Sequence, residues 1–159
     1  MKKIQLLSLL LVSLVLFACE YIGEPAQHTY YYEDLAESVI SIELINYNNP
    51  DAKTIRGKPD IFMPFDFDKM EIIEVLPEAK HEDFLKQFSD YSYWYFDKHL
   101  DSPKGLGIRL IHKNGNFDLV CRSNYSALFD KNGIVIKFIG SGLDHSFTDF
   151  TNKYFDTKF

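Results

Sequence analysis

Residues 108–121 read IRLIHKNGNFDLVC, which is two apolar runs separated by Asn114-Gly115. Asn-Gly between alternating apolar runs is a strong hairpin signal, because both residues tolerate positive φ. The same signal recurs at Asn132-Gly133, which lies between apolar residues 125–129 and 134–139. The two turns predict a three- or four-stranded antiparallel meander over residues 106–139.

Two earlier segments predict further strands of the same sheet. Residues 39–47 (VISIELINY) and 70–76 (MEIIEVL) are rich in apolar residues at alternate positions, as in strands with one buried face. Residues 91–96 (YSYWYF) have the aromatic composition of a strand. The side chains predicted to face the core are Ile40, Ile42 and Leu44 in the first segment and Met70, Ile72 and Val75 in the second.

Helices are predicted before and after the meander in the sequence. Pro77 suits the first turn of a helix that ends near residues 89–90, and a terminal helix begins at about residue 145. Residues 33–38 are predicted to form one or two helical turns. The apolar stripes of the two main helices consist of Phe84, Leu85 and Phe88 in the first and of Phe147, Phe150, Tyr154 and Phe155 in the second.

These elements predict an α+β fold of two layers. An antiparallel sheet of about five strands carries two helices on one face, and its other face is expected to remain partly exposed to solvent.

The N-terminal residues have the features of an export signal. Lys2 and Lys3 precede residues 4–17, which are 14 uncharged residues. This length fits a signal-peptide core of roughly 7–15 residues and is short of the roughly 18 that suggest a spanning helix. The run ends in Leu16-Phe17-Ala18-Cys19, which resembles the lipobox of bacterial lipoproteins, although Phe17 is larger than the residue usual at that position.

The resemblance implies cleavage before Cys19 and attachment of lipid, including palmitate-type acyl chains, to the Cys19 sulfur. It divides the chain into a signal peptide (residues 1–18), a lipidated cysteine with its tether (19–32) and a single α+β domain (33–159). Several acyl chains make release from a membrane slow. The domain is therefore expected in the cell envelope, outside the cytoplasm. Uncleaved anchoring, or ordinary signal cleavage that leaves Cys19 unmodified, remains open.

The net charge of the chain limits the kinds of partner that it is expected to bind. The net charge is −6, and removal of Lys2 and Lys3 leaves 15 basic against 23 acidic residues, a net charge of −8. Such a chain is a poor candidate for binding nucleic acid, which requires cations to neutralise phosphates. Cys121 lies in a predicted strand, and with Cys19 lipidated it has no partner for a disulfide, so a buried thiol is expected.

The sequence predicts no catalytic residue, no metal ligand set and no cofactor. The five histidines form no ligand-spaced pair. Asp66-Phe67-Asp68 and Asp130-Lys131-Asn132-Gly133 resemble only fragments of a calcium loop. Gly140-Ser141-Gly142 does not match the G-x-S-x-G motif of hydrolases.

The candidate binding face consists of Tyr91, Tyr93 and Tyr95, which would point to the same side of the predicted strand. Exposed aromatic side chains can stack on sugars or on a protein partner. The function expected is that of a non-enzymatic, lipid-anchored module that binds a protein or a cell-wall component. Two alternatives remain open. One is an envelope hydrolase with a site assembled from scattered residues, and the other is a structural subunit of an envelope complex.

Overall fold

The computed structural model describes residues 24–25, 30–48, 64–90, 94–95, 105–122, 125–140 and 146–158. The helices are α1 (Tyr32–Ser38), α2 (His81–Ser89) and α3 (Ser146–Tyr154), with short 3-10 turns at Phe67–Lys69 and Glu78–Lys80. The strands are β1 (Glu24–Pro25), β2 (Val39–Tyr47), β3 (Met70–Val75), β4 (Trp94–Tyr95), β5 (Gly105–His112), β6 (Phe117–Cys121), β7 (Tyr125–Phe129) and β8 (Val135–Gly140).

Six strands form one open antiparallel sheet in the order β3-β2-β5-β6-β7-β8, and β1 pairs separately with β4. The α+β prediction is confirmed. The described residues contain six strands in the main sheet, against about five predicted, and three helices against two. The extra helix is α1, where one or two helical turns were predicted. No helix in these ranges is long and apolar enough to span a bilayer.

All three helices pack on one face of the sheet. Ile42 and Leu44 are fully buried there, as predicted, and so are Phe84 and Phe88 of α2. This helix-side core therefore depends on the apolar stripes that the sequence shows. It consists of Tyr30, Leu35, Val39, Ile42, Leu44, Leu76, Phe84, Leu85, Phe88, Ile108, Leu110, Val120, Phe147, Phe150, Tyr154 and Phe155.

The opposite face of the sheet carries a second core, where a partly wet surface was expected. Phe65 lies over this face, with its ring stacked 4.4 Å from that of Tyr47 and edge-on to Phe117 and Phe129. Such aromatic contacts stabilise beyond the area they bury. The second core comprises Ile45, Tyr47, Phe65, Phe117, Leu119, Cys121, Tyr125, Ala127 and Phe129, with Met70 partly buried against it.

Three side chains predicted to face the core are exposed instead. Ile40, Ile72 and Val75 are 55%, 46% and 53% exposed. Ile40 lies at an irregularity where the pairing of β2 with β5 skips a residue, and such a bulge interrupts the alternation of faces. Ile72 and Val75 lie opposite Ile45 and Glu43 on the edge strand β3, on the face that the helices do not cover.

Both predicted hairpins are present, and each has a three-residue loop. His112 and Asn116 close the first loop and Asp130 and Ile134 close the second, each pair through a backbone hydrogen bond. The third residue of each loop is a glycine with φ of +85° or +81°. Each loop is therefore a turn followed by a residue in the left-handed backbone conformation, which is common in three-residue hairpin loops.

The two loop glycines differ in what surrounds them. A Cβ on Gly133 would lie 2.5 Å from the Phe65 carbonyl oxygen, whereas a Cβ on Gly115 would meet only the Lys131 side chain at 3.3 Å. We expect Gly115→Ala to lower the free energy of unfolding by about 1–2 kcal/mol through its positive φ. Gly133→Ala adds a steric clash and is expected to cost about 2–4 kcal/mol. Urea denaturation of both variants measures the difference, and equal losses would show that Phe65 does not pack on this hairpin.

Candidate functional site

A cleft of about 250 Å³ opens between α1 and the helix-covered face of the sheet. This volume lies just below the roughly 300–1,000 Å³ of ligand pockets, so it suits one unit of a larger ligand. We call it the Asp118 cleft. It is lined by Tyr30, Tyr31, Asp34, Leu35, Ser38, His112, Asn114, Asn116, Asp118, Leu128 and Lys137.

Asp118 forms the base of this cleft. It lies on β6 and is 3% exposed. Its Oδ1 accepts a hydrogen bond of 2.9 Å from the Tyr30 hydroxyl, and its Oδ2 lies 2.7 Å from Nε2 of His112. A buried carboxylate is tolerated when such partners satisfy it. Asp118 therefore holds Tyr30, which lies two residues before the start of α1, against the sheet.

Both ring nitrogens of His112 lie within hydrogen-bond distance of an oxygen atom. The Ser38 hydroxyl lies 2.6 Å from the Asp34 carbonyl oxygen, which can only accept, so the hydroxyl donates there. Ser38 Oγ must then accept from His112 Nδ1 at 2.9 Å, while Nε2 donates to the Asp118 carboxylate. The network is complete when the imidazole is doubly protonated, and the bond to Asp118 is then charge-assisted.

The junction of α1 with β2 positions Ser38 in this network. Ser38 is the last residue of α1, and its backbone oxygen accepts a hydrogen bond of 2.8 Å from Lys113 N–H. Val39, the first residue of β2, pairs with His112 at the end of β5. The helix end is thereby fixed beside the first hairpin.

Exposed polar side chains surround the opening. Tyr31 is 63% exposed, and Asp34, Asn114 and Lys137 are also exposed. We call these four residues the cleft rim. The Asn114 Oδ1 accepts from the Asn116 backbone N–H at 2.9 Å, which leaves the donor side of the Asn114 amide for a ligand. The rim is accessible, whereas the base is buried or half-buried and hydrogen-bonded.

Clear pKa shifts occur outside this cleft. Burial, with Cys121 and Tyr47 nearby, raises the pKa of the Tyr125 phenol in the second core. Partial burial raises the pKa of Glu74, but the hydrogen bonds from residues 156 and 157 outweigh it and lower the pKa overall. The Ile134 N–H holds the pKa of Asp130 below its usual range. Each shift follows from local packing or turn geometry.

Few of the site residues predicted from the sequence lie within the described residues. Cys19, Tyr91 and Tyr93 lie outside the described residues, and so does the signal peptide. Tyr95 lies in β4, where its backbone pairs with Glu24, but its side chain is outside the description. The binding face of Tyr91, Tyr93 and Tyr95 therefore stays a prediction.

The two calcium-loop fragments form turns. The Asp66 carboxylate accepts from the Asp68 N–H, and Asp130 accepts from the N–H groups of Asn132 and Ile134. Within the described ranges, no three His, Cys, Asp or Glu side chains are grouped to hold a metal ion.

The sequence did not reveal the residues at the base of the cleft. Tyr30, Ser38, His112 and Asp118 come from four separate positions in the fold, and no motif spacing connects them. The first hairpin decides whether two of them meet, because its register determines whether His112 and Asp118 share a face of the sheet.

Comparison of the chain with protein-family models, with curated proteins and with solved structures finds no match.

Proposed function

We propose that this chain is a lipid-anchored lipoprotein of the bacterial cell envelope and works as a non-enzymatic binding module. The Asp118 cleft is its recognition site. The observation that carries the proposal is the contrast between a hydrogen-bonded base and an exposed polar rim. A ligand can bind at such a rim without any proton leaving the network beneath it.

The likeness of Leu16-Phe17-Ala18-Cys19 to a lipobox supports the anchor. Cys19 lies 11 residues before Tyr30, and 11 extended residues span at most about 40 Å. Because Tyr30 bonds to Asp118, the cleft would then operate within that distance of the membrane surface. A membrane-proximal recognition site is suited to ligands of the cell wall or to proteins in the envelope.

Fatty-acid labelling tests the anchor, with the two cysteines as a matched pair. Cells producing the full chain are fed an alkyne fatty acid, and the labelled protein is followed through membrane fractionation. We expect Cys19→Ala to abolish the label, because the acyl chains are attached to the Cys19 sulfur. Cys121→Ala should keep both the label and membrane retention, since Cys121 is buried in β6. A labelled Cys19→Ala variant would contradict lipidation at this residue.

The cleft hypothesis is tested by mapping where a ligand binds. Amide resonances of the full-length protein in detergent are recorded with and without solubilised envelope material from the bacterium that produces it. We expect changes at Tyr31, Ser38, Asn114 and Asn116 and little change at Ile72 on the edge strand. Changes confined to the edge strand, or no changes, would contradict recognition at this cleft.

One observation favours the hydrolase alternative, namely the chain of contacts from Ser38 through His112 to Asp118. A serine nucleophile needs a base that can take its proton. In this network His112 Nδ1 donates to Ser38 Oγ, and the Ser38 hydroxyl donates to the Asp34 backbone carbonyl oxygen. Ser38 also ends a helix, where carbonyl groups disfavour the negative charge that acyl transfer develops.

A fluorophosphonate probe separates the two functions, because it reacts covalently with activated serines. We expect no labelling of the full-length protein. Labelling that Ser38→Ala abolishes would establish an activated nucleophile and overturn the non-enzymatic proposal.

A further inference from the structure

The lining of the Asp118 cleft combines apolar and neutral polar groups. Leu35 is buried and Leu128 half-buried, and both border the cleft from the core side. Asn114 and Asn116 supply side-chain amides from the first hairpin, and Tyr31 at the rim is 63% exposed as a residue. The cleft therefore offers an aromatic face, apolar contacts and hydrogen-bond donors within one small space.

The charges of the lining are balanced. Asp34 and Asp118 carry negative charge, and Lys137 carries positive charge. Asp118 already has two partners within the chain, because it accepts from the Tyr30 hydroxyl and lies 2.7 Å from Nε2 of His112. A polyanion would need several unpaired cations, and among the lining residues that the structure describes Lys137 is the one such cation. This balance favours a ligand without net charge.

Sugars match this lining. A pyranose ring has an apolar face of C–H groups that packs on an aromatic ring, and hydroxyl groups that both donate and accept. The free amide N–H groups of Asn114 suit a carbonyl acceptor, and the leucine side chains suit a methyl group. An acetamido substituent supplies both the carbonyl and the methyl group.

We infer that the Asp118 cleft binds one N-acetylated hexosamine unit of a glycan chain, with the ring against Tyr31 and the acetamido group near Asn114. The inference rests on the proposed binding function and names its ligand class. A volume of about 250 Å³ admits one unit of the chain, with its neighbours outside the opening. A membrane-tethered protein that binds such a unit would hold the envelope's amino-sugar polymer close to the membrane.

Calorimetry with two matched glycans tests this inference on the full-length protein in detergent. Chitotetraose and cellotetraose share chain length and β-1,4 linkage, and only chitotetraose carries acetamido groups. We expect chitotetraose to bind at least ten-fold more tightly. Equal affinity for both would overturn the role of the acetamido group, and no binding of either would overturn the glycan inference.

Substitutions then locate the contact. Tyr31→Ala should weaken chitotetraose binding about ten-fold, the effect expected for loss of an aromatic contact. Asn114→Asp should weaken it by a similar factor, because it keeps the acceptor for Asn116 N–H and removes the amide donor. Val75→Ala, at an exposed position on β3, should bind as the wild type does. Unchanged affinity in both cleft variants would overturn the site.

The two proposals can fail separately. If envelope material still changes the amide resonances of the cleft while chitotetraose does not bind, the ligand class is wrong and the binding function stands. If neither has any effect, both proposals are wrong.

Discussion

The Asp118→Ala variant is expected to lose about 3 kcal/mol of unfolding free energy. Asp118 accepts a hydrogen bond from the Tyr30 hydroxyl and lies 2.7 Å from Nε2 of His112, so the substitution removes both contacts from the base of the cleft. Removal of one partner of a buried hydrogen bond costs about 1–3 kcal/mol. The His112 side chain is 13% exposed and partly reached by solvent, which keeps the total below the sum of two full penalties.

Urea denaturation measures this loss of stability. Asp90→Ala removes an exposed carboxylate after α2 and should change stability by less than about 0.5 kcal/mol. Tyr30→Phe removes one hydroxyl from the network and should cost about 1 kcal/mol. Combined with Asp118→Ala it should cost less than the two losses added, because both substitutions break the same bond. Additive losses would show that Tyr30 and Asp118 are not coupled.

Arg109→Ala is the second substitution with a large expected effect. Glu43 and Arg109 lie opposite each other on β2 and β5 and are 6% and 7% exposed. Arg109 Nε donates to Glu43 Oε2 at 2.8 Å, and its guanidinium lies 5.6 Å from the centre of the Phe117 ring. Removal of the arginine leaves a buried carboxylate without its counter-charge, so we expect a loss of about 3–5 kcal/mol.

A double substitution distinguishes burial of a charge from loss of packing. Glu43→Leu with Arg109→Met removes both charges and keeps the apolar volume, so its stability is expected to equal or exceed that of the wild type. Thermal denaturation of the single and double variants compares them. A double variant as unstable as Arg109→Ala would show that the pair itself provides net stability.

Much of the fold could be predicted from patterns along the chain. The Asn-Gly turns marked both hairpins, and the spacing of Phe84, Leu85 and Phe88 marked the buried face of α2. These features depend on local conformation and on periodicity, which a sequence displays directly. Details that depend on neighbouring strands, such as the exposure of Ile72 and Val75 on an edge strand, could not be predicted this way.

Formation of the Asp118 cleft depends on the length of the first hairpin loop, where a difference of one residue changes which side chains share a face of the sheet. A two-residue loop at Asn114-Gly115 would pair Ile111 with Asp118 and place His112 on the opposite face from Asp118. The observed three-residue loop pairs Leu110 with Asp118. His112 and Asp118 therefore lie on the same face, where their side chains meet. An Asn-Gly signal does not distinguish the two loop lengths, so this contact could not be predicted.

Burial of Glu43 on the other face of the sheet could not be predicted from the sequence either. The alternation of Ile42 and Leu44 was predicted correctly, and it places Glu43 on the side expected to be wet. The aromatic layer of Phe65, Phe67 and Phe117 covers that side, and this contact joins segments far apart in the sequence. Burial of the ion pair follows from that covering layer, which no local pattern reveals.

Photo-crosslinking in living cells tests recognition at the Asp118 cleft most directly. The full-length protein carries benzoylphenylalanine in place of Tyr31 at the cleft rim, or in place of Ile72 on the edge strand, 46% exposed. We expect light to produce a discrete adduct, with glycan or protein, from position 31 and none from position 72. No adduct from position 31, or equal adducts from both positions, would contradict recognition at this cleft.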